Sequence, residues 1–336
     1  MSRARRINQM AESSVSVVIP AHNSAGSIAG TLTSLTSDSE FIQEVIVVDD
    51  SSTDDTGAVA QRTAEKLGLP VRVIRTECRD AGSARNVGLG QASARWIYFL
   101  DADDQHRQGG LRRLVRRSEV VPDASLIIGS YVRRVDGIMR STKVPSGYQR
   151  LGGANAVSYL TGRVRSIAMG SALVARSTIG DIRFPVDLPY DEDTLFWARV
   201  LHAARVATVD EVVLIYAVSS QRANDRFIVA PKEKFQTWKW ALGELQNYGI
   251  PWSALATREG LVAMKIARVH YAMGDFETAA NFLAIANAAP KTVADRWRCV
   301  RYGIKIAIRK KVHSRQPSLK RLPAPMDART IARKQL

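Results

Sequence analysis

Cysteine is scarce in this chain of 336 residues, which contains only Cys78 and Cys299. Two cysteines that far apart form neither a zinc-ligand spacing nor a disulfide framework, so we expect a reducing compartment and a cytoplasmic protein. Long apolar runs are also lacking, and no stretch approaches the roughly 20 residues of a membrane-spanning helix. The basic residues 1–13 precede only the short stretch Val15–Pro20, which is too short for the core of a signal peptide. We therefore expect a flexible N-terminus followed by a first strand.

Two glycine-rich nucleotide-binding signatures are missing as well. No G-x-G-x-x-G follows the first predicted strand, and no G-x-x-x-x-G-K-[ST] occurs in the sequence. Both signatures place backbone amides around phosphate groups, so their absence argues against dinucleotide-dependent redox chemistry and against P-loop hydrolysis.

Acidic residues are outnumbered, with 32 Asp or Glu against 48 Lys or Arg and a net charge of +16. Residues 291–336 alone contain 14 Lys or Arg and 2 Asp or Glu. Most of the excess therefore lies in the C-terminal tail. Nucleic acid and an anionic membrane surface are the candidate partners of such a tail.

The tail contains one amphipathic pattern, at residues 296–312. Arg298, Lys305 and Arg309 run along one edge of an apolar helical stripe, while Arg301 and Lys311 fall within it; the stripe consists of Trp297, Val300, Ile304, Ile308 and Val312. This pattern is typical of a helix that lies on an anionic membrane, which makes a peripheral position on the inner face of the plasma membrane an expectation. A terminal helix that packs its stripe on the domain is the alternative.

The sequence before the tail alternates strand and helix patterns. Apolar stretches of strand length occur at Val15–Pro20, Val45–Val48, Val71–Arg75 and Trp96–Leu100. Helical periodicity lies between them, so the sequence predicts βαβ units and an α/β fold with a mostly parallel, Rossmann-like sheet flanked by helices. From Glu233 the pattern is helical only. We predict a flexible basic segment 1–13, an α/β domain 14–222 with halves 14–105 and 106–222, a helical region 223–313 and a disordered, basic, proline-containing tail 314–336.

Carboxylates follow two predicted strands at their C-terminal ends. Asp49 and Asp50 end one strand, and Asp101, Asp103 and Asp104 follow the strand Trp96–Leu100. Open α/β sheets bind ligands at that edge, and the two acidic strand ends would face one crevice if the strands were neighbours. Clustered carboxylates repel one another unless a cation binds them, and oxygen ligands suit Mg²⁺ or Mn²⁺. The second group therefore indicates a metal site, with an ordinary acidic turn as the alternative.

The segments VSVVIPAHN, VIVVDDSSTDDT, GSARNVG and FLDADD, in that order and spacing, resemble the inverting family-two glycosyltransferases with the GT-A fold. The later segment DEDTLFWARV, Asp191–Val200, resembles the acidic motif of that family on the acceptor side. The resemblance covers about residues 14–218. It implies a metal-dependent transfer of a hexosyl or N-acetylhexosaminyl group from a nucleotide-sugar, expected to be a UDP-sugar. The acceptor would be a hydroxyl of a glycan or lipid-linked molecule in cell-envelope or exopolysaccharide synthesis.

The resemblance also implies roles for individual residues. The nucleotide base would lie at Pro20, Ala21 and Asp50 and the ribose at Asp101; the implied donor-binding set is Pro20, Ala21, Asn23, Asp49, Asp50, Ser52, Arg85, Asp101, Ala102 and Arg222. Asp103, together with Asp101, would coordinate a Mn²⁺ or Mg²⁺ ion on the diphosphate. Asp193 would be the general base, and Glu192 would support it or orient the acceptor. Charges that cap a helix are the alternative for this pair.

Two features depart from the family pattern. The stretch Tyr216–Arg222 contains no histidine, so the family's third protein ligand for the metal is not accounted for, although Arg222 would still reach the diphosphate. The sequence also has neither a Q-x-x-R-W motif nor a transmembrane segment, which accompany processive polymer synthesis. We therefore expect the addition of a single sugar.

Two other functions compete with this one. A sugar nucleotidyltransferase also uses aspartates at strand ends, but that class opens with a glycine-rich basic loop, and Pro20–Gly26 contains no Lys or Arg. A nucleic-acid-binding protein would use the basic tail. The tail offers only Trp297 and Tyr302 for base stacking, and this function leaves the acidic crevice unexplained. We do not expect nucleic acid as a partner.

Overall fold

The computed structural model describes residues 14–219, 222–290 and 292–314, with the backbone alone at 222, 223, 293 and 310–314. The chain divides into two compact units, Met1–Val218 and Ser219–Leu336. The predicted segment 1–13 and nearly all of the predicted tail 314–336 lie outside the described residues.

The first unit contains a nine-stranded sheet with helices between its strands. Its elements in chain order are β1 (Val15–Ala21), α1 (Ile28–Leu35), β2 (Ile42–Asp50), α2 (Thr56–Leu67), β3 (Val71–Thr76), α3 (Ala81–Gln91), β4 (Trp96–Phe99), β5 (Gln105–His106), α4 (Gly110–Val120), β6 (Leu126–Val135), β7 (Ile138–Lys143), α5 (Gly153–Leu160), β8 (Ala172–Ala175), α6 (Arg176–Ile179), α7 (Glu192–Ala203) and β9 (Val206–Val218).

The first half of this sheet has the predicted βαβ arrangement. β3, β2, β1 and β4 lie side by side in that order, and all three pairings are parallel. β1 and β4 are buried along their whole length, as expected of parallel strands covered by helices on both faces. β1 lies between β2 and β4, so the two acidic strand ends share one edge of the sheet but are not neighbours.

The second half of the sheet is mixed. β8 pairs antiparallel with β4 and with β6, whereas β6 and β9 run parallel. A short turn connects β6 to β7, and these two strands form a hairpin. A 3-10 turn, Met169–Ser171, immediately precedes β8. The carbonyl of Gly170 in that turn accepts a hydrogen bond of 2.5 Å from the Tyr98 hydroxyl.

A buried polar network connects β4, β5 and the 3-10 segment Thr36–Phe41 that precedes β2. His106 Nε2 lies 2.7 Å from Asp38 Oδ2, and His106 Nδ1 lies 3.1 Å from the Tyr98 hydroxyl oxygen. Burial raises the pKa of Asp38, but the hydrogen bond and charge of His106 outweigh it and lower the pKa overall. Nothing in the local sequence pattern predicts this network, because its residues are distant in sequence.

α3 packs directly on the sheet through glycine. A Cβ at Gly88 would lie 2.4 Å from Val18 Cγ1 and 3.3 Å from Val48 Cγ2, so only glycine permits this approach to β1 and β2. The helix begins at Asp80, whose carboxylate accepts a 2.6 Å hydrogen bond from the backbone N–H of Ser83. Such an N-cap contributes about 1 kcal/mol to stability.

The second unit contains helices and turns, with no strand among its described residues. Its helices are α8 (Arg222–Asp225), α9 (Pro231–Gly243), α10 (Trp252–Met273), α11 (Phe276–Ala288) and α12 (Val293–Ser314). α10 ends at Gly274 with a positive φ of 86°, and Asp275 caps α11 by accepting a hydrogen bond from Thr278 N–H. None of the helices described has both the length and the apolarity that crossing a bilayer requires.

The close approach of α3 to the sheet predicts the effect of Gly88→Ala. The added methyl group meets buried valine side chains, so we expect a loss of about 1–3 kcal/mol in the free energy of unfolding. Gly90→Ala is the matched control, because it lies in the same helix with nothing within 4 Å of its Cβ position. Alanine favours helix, so the control should be neutral or stabilised by up to about 1 kcal/mol. Urea unfolding measures both; equal stability of the two variants would contradict the packing argument.

Candidate active site

The acidic turn after β4 is positioned by contacts on both sides. Asp104 N–H donates to the carbonyl of Asp101 at 3.0 Å, which closes the turn Asp101–Asp104. The hydroxyl of Thr31 in α1 lies 2.9 Å from the carbonyl oxygens of both Ala102 and Asp104. Ala102 is buried and Asp103 is exposed, so the turn presents Asp103 to solvent while its backbone is anchored.

Asp104 does not face the crevice, contrary to the expectation from sequence. Its side chain is fully buried, and Oδ1 accepts a 2.7 Å hydrogen bond from Ala217 N–H of β9. Burial first, and then the negative charge of Asp101, raise the pKa of Asp104 well above its usual range. Asp104 therefore connects the turn to the far part of the sheet, and the crevice retains Asp101 and Asp103.

Arg85 joins the two halves of the first unit. Its Nη2 donates to Asp101 Oδ1 at 2.8 Å and its Nη1 donates to Glu192 Oε1 at 3.0 Å, and only 6% of its side chain is exposed. We call this arrangement the Arg85 bridge. Burial alone would lower the pKa of Arg85, but Asp101 and Glu192 raise it above its usual range, so the guanidinium stays charged. The sequence predicted Arg85 near the base and the diphosphate; the structure gives it these two carboxylates, and a donor contact remains a prediction.

The loop before α7 is attached to α3 by its backbone. Asn86 Oδ1 accepts from Phe184 N–H at 2.8 Å, and Asn86 Nδ2 donates to the Phe184 carbonyl at 2.9 Å. The Arg85 guanidinium lies over the Phe184 ring at 5.4 Å from its centroid. A Cβ at Gly82 would lie 2.6 Å from the carbonyl oxygen of Pro185, so glycine is required there. The segment Gly82–Gly88 therefore contacts the sheet, Asp101 and the acceptor side together.

Glu192 and Asp193 are the first two residues of α7, as the alternative of helix-capping charges requires. Asp193 also has a raised pKa, which suits a general base. Burial and the neighbouring charges of Glu192 and Asp191 raise the pKa of Asp193 to about 6. The Arg85 charge and the Thr194 N–H, which donates to Asp193 Oδ1 at 2.7 Å, act in the opposite direction. A carboxylate with a pKa near 6 is a stronger base than an ordinary aspartate and is ionised at neutral pH.

The predicted base-binding residues end β1 and β2, and the loops that follow these two strands are hydrogen-bonded to each other. Asn23 N–H donates to the Ser52 hydroxyl at 2.9 Å, and Asn23 Oδ1 accepts from Thr53 N–H at 2.8 Å. Pro20 and Ala21 are the buried last residues of β1, next to this loop. The loop that follows β1 and the loop that follows β2 therefore form one surface.

Asp50 and Asp49 have different surroundings. Asp50 accepts hydrogen bonds from the backbone N–H groups of Arg79 at 2.9 Å and Asp80 at 2.8 Å. Burial would raise the pKa of Asp50, but these backbone donors outweigh it and lower the pKa. Asp49 is buried, and its Oδ2 would lie 2.9 Å from a Cβ at Gly57 in the first turn of α2. Successive strand residues point to opposite faces, so Asp49 and Asp50 lie on opposite faces of β2, and the donor contact of Asp49 stays a prediction.

A polar cavity of about 510 Å³ lies beside Asp50, lined by Ser51, Ser52, Thr53, Arg75, Glu77 and Arg79. The loops around it contain three residues in a backbone conformation that residues other than glycine rarely adopt. Asn23, Ser51 and Arg79 have positive φ angles of 48°, 57° and 55°, and each follows a different one of the first three strands. Such strain persists where surrounding contacts over-determine the backbone, and it concentrates at binding sites.

The acidic turn fits a divalent metal. Asp103 is exposed, and Asp101 keeps 25% of its side chain exposed beside Arg85. Both offer only oxygen atoms, the ligands that Mg²⁺ and Mn²⁺ prefer. Among residues 14–219 and the described helices that follow, no three His, Cys, Asp or Glu side chains converge on a metal site. A metal at this turn would therefore take most of its ligands from substrate phosphates and water.

Several residues that shape the site were not singled out from the sequence. Thr31 and Asn86 act through backbone contacts, and Phe184 contributes its ring and backbone. Asn86 lies inside GSARNVG, so its position in the motif could have indicated it. Thr31 and Phe184 carry no pattern, because only the tertiary fold brings them to the site. The side chain of Arg222 lies outside the described residues, so its predicted donor contact stays a prediction.

Comparison with known proteins agrees with this geometry. Residues 16–174 match the family model "Glycosyl transferase family 2". The chain is 27% identical over 246 residues to the poly(ribitol-phosphate) beta-N-acetylglucosaminyltransferase TarS of Staphylococcus aureus, covering 69% of this chain and 40% of TarS. It is 33% identical over 188 residues to the amylovoran biosynthesis glycosyltransferase AmsB of Erwinia amylovora, covering 52% of this chain and 60% of AmsB. The chain thus spans less than two thirds of either relative.

Solved structures share the fold. The crystal structure of S. aureus TarS 1–349 in complex with UDP-GlcNAc aligns with a TM-score of 0.58 at 19% identity, covering 81% of each chain. The mannosyltransferase PcManGT of Pyrobaculum calidifontis, in complex with GDP-Man and Mn²⁺, aligns with a TM-score of 0.54 at 18% identity, covering 88% of this chain and 84% of that one. The ordered motifs, the sheet and the family match together identify residues 16–174, just under half of this chain, as a glycosyl transferase family 2 domain, and the solved structures share its GT-A fold.

Proposed function

We propose that this protein is an inverting glycosyltransferase that transfers one sugar from a nucleotide-sugar, expected to be a UDP-sugar, to a hydroxyl of a glycan or lipid-linked acceptor. The Arg85 bridge is the observation that carries the proposal. Asp101 lies on the predicted donor side and Glu192 on the predicted acceptor side. Both carboxylates contact the same guanidinium group, so the two sides of the site lie next to each other. TarS is named for transfer of N-acetylglucosamine to poly(ribitol-phosphate), and AmsB is named a glycosyltransferase of amylovoran biosynthesis; both names support the substrate class.

The transfer would begin with Asp193. Its carboxylate, with a pKa raised to about 6, accepts the proton of the acceptor hydroxyl as that oxygen attacks the anomeric carbon. The bond from the anomeric carbon to the diphosphate breaks on the opposite side, so the configuration inverts. Glu192 bonds to Arg85 and thereby positions the start of α7 against the donor half. No carboxylate nucleophile is required.

The metal belongs to the donor side of this proposal. Asp103, with Asp101, would bind Mn²⁺ or Mg²⁺, which supplies positive charge to the departing nucleoside diphosphate. The Mn²⁺ in the PcManGT complex supports a divalent ion in this fold. The predicted contacts of Pro20, Ala21, Asn23, Asp50, Ser52 and Ala102 with the nucleoside are part of the proposal. So are the cytoplasmic location and the peripheral position on the plasma membrane.

The general base can be tested by Asp193→Asn. We expect kcat to fall by about 10²–10⁴-fold with little change in the KM of the donor, because the amide cannot accept the proton. For the unaltered enzyme, kcat/KM should rise with pH and level off above about 6, where the Asp193 carboxyl is ionised. Asp191→Asn is the matched control: asparagine tolerates its φ of 65°, and loss of this charge should only move the rise to lower pH. Equal losses of kcat in both variants would refute the assignment of Asp193.

The bridge itself can be tested by Arg85→Lys. Lysine keeps the charge but lacks the planar fork that donates in two directions, so one of the two carboxylates loses its partner. We expect the KM of both substrates to rise and the protein to unfold at a lower urea concentration. Arg183→Lys, at an exposed arginine on the same unit, serves as the control. Unchanged kinetics in Arg85→Lys would show that the two halves do not depend on this contact.

Donor and metal can be identified by a thermal-shift panel of UDP-, GDP-, dTDP- and CMP-sugars, each with and without Mn²⁺. A ligand at 100 times its Kd stabilises the folded state by about 2.7 kcal/mol, which is readily measured. We expect one nucleotide to raise Tm more with Mn²⁺ than without it. Asp103→Ala should abolish the increment due to Mn²⁺, whereas Asp210→Ala, at an exposed aspartate of β9, should retain it. No response to any nucleotide, together with salt-sensitive DNA binding, would overturn the proposed function.

A further inference from the structure

α12 has two apolar faces, of which only one is covered by the protein. Cys299 and Ile306 are buried on the inner face. The opposite face exposes a stripe of four large apolar side chains, which are Trp297 at 70%, Val300 at 52%, Ile304 at 56% and Ile308 at 57% exposure. Their spacing places them on one side of the helix over about 16 Å. We call these four residues the α12 stripe.

Cations border the α12 stripe along one edge. Arg298, Arg301, Lys305 and Arg309 are all exposed. Arg298 pairs with Asp295 at 3.0 Å within the same helix, and Lys305 lies over the Tyr302 ring at 5.4 Å from its centroid. An anionic bilayer has acyl chains beneath a layer of phosphate groups. An exposed apolar stripe can contact the acyl chains while the cations along its edge contact the phosphate groups.

The same edge borders a cavity in the second unit. The cavity has a volume of about 490 Å³, and four cations line it, Lys265 and Arg268 from α10 and Arg298 and Arg301 from α12. Asp295 is the single acidic residue in its lining, and its carboxylate accepts from Arg298 and from the Thr292 hydroxyl. Leu261, Met264 and Pro290 contribute apolar walls. Cations above an apolar wall suit a phosphate group that is attached to a hydrocarbon.

We propose that the α12 stripe docks on an anionic lipid bilayer and that the adjoining basic cavity receives the phosphate group of a lipid. The stripe would enter the boundary between headgroups and acyl chains, and Arg298, Arg301, Lys305 and Arg309 would contact the phosphates. This deepens the proposed peripheral location and is independent of whether the first unit transfers a sugar. The bound surface would bring the enzyme to lipid-linked acceptors.

Other occupants fit the same surface less well. A second copy of this chain paired through the α12 stripe would repeat the surface on both partners and would bring two cationic edges together. Nucleic acid would find cations, but the stripe offers aliphatic side chains and one tryptophan rather than a row of stacking surfaces. Both alternatives are distinguished by the measurements below.

The test is co-sedimentation of the full chain with vesicles of phosphatidylcholine containing one third phosphatidylglycerol, and with pure phosphatidylcholine vesicles. We expect strong binding only to the anionic vesicles, and weakening between about 0.1 M and 1 M salt. Trp297→Ser should reduce the vesicle–water partition coefficient of the protein about tenfold or more, because binding then no longer transfers a large apolar side chain from water into the bilayer. Trp240→Ser is the matched control, because Trp240 is 71% exposed on α9 and lies outside the stripe.

The cavity is tested separately by Arg268→Gln, which removes one of its cations on α10. The matched control is Lys232→Gln, which removes an equal charge at an exposed lysine on α9. We expect Arg268→Gln to weaken binding to the anionic vesicles several-fold more than Lys232→Gln. Equal effects would overturn the lipid-phosphate site. The nucleotide-induced rise in Tm should be unchanged in every variant, which separates failure of docking from failure of the transferase proposal.

Three outcomes would overturn the docking surface itself. The first is vesicle binding by Trp297→Ser equal to that of Trp240→Ser. The second is a dimer in light scattering, without lipid, that Trp297→Ser dissociates while vesicles leave the unaltered protein in solution. Tight binding of RNA or DNA with no vesicle binding would likewise assign the basic edge to nucleic acid.

Discussion

A buried guanidinium with two carboxylate partners is the interaction on which the candidate site depends. Arg85 extends from α3, which packs on β1 and β2 through Gly88, and it reaches Asp101 after β4 and Glu192 at the start of α7. Each attraction is on the order of 5 kcal/mol before the cost of removing the charges from water. That cost makes an unpaired partner expensive, so the three charged groups must be positioned together. The proposed donor and acceptor parts of the site are therefore coupled by one side chain.

The surrounding residues make this geometry rigid. Asn86 binds both backbone groups of Phe184, Thr31 contacts the acidic turn, and Asp104 attaches that turn to β9. Backbone strain at Asn23, Ser51 and Arg79 lies in the loops on the base side of the crevice. A site that must align an acceptor oxygen, an anomeric carbon and a diphosphate benefits from such rigidity, because misplacement by about 1 Å costs much of the rate. Within the segment GSARNVG, Gly82, Arg85, Asn86 and Gly88 all make such contacts, so few substitutions there would preserve the geometry.

The second unit differs from the first in its exposed apolar surface and its positive charge. Its helices cover one another through residues such as Phe235, Trp238 and Phe282, yet α12 leaves large apolar side chains in water. Exposed apolar surface next to concentrated positive charge is costly for a free protein and useful for one that binds an anionic surface. The net charge of the chain, which lies mostly in residues 291–336, is thus a property of this region and not of the active site.

The α/β class, the first four strands and the acidic strand ends could be predicted from the sequence, because buried parallel strands are continuous apolar runs and their ligands lie at the carboxyl ends. The sequence also predicted the positions of Arg85, Asp101, Asp103, Glu192 and Asp193 as site residues. The tertiary structure was needed to show that Asp104 bonds to β9 instead of facing the crevice, that Asp49 is buried beside α2, that Arg85 binds two carboxylates, and that Thr31 and Phe184 contact the site. Local patterns report burial and periodicity, whereas these contacts join residues up to 113 positions apart and depend on how the strands are ordered.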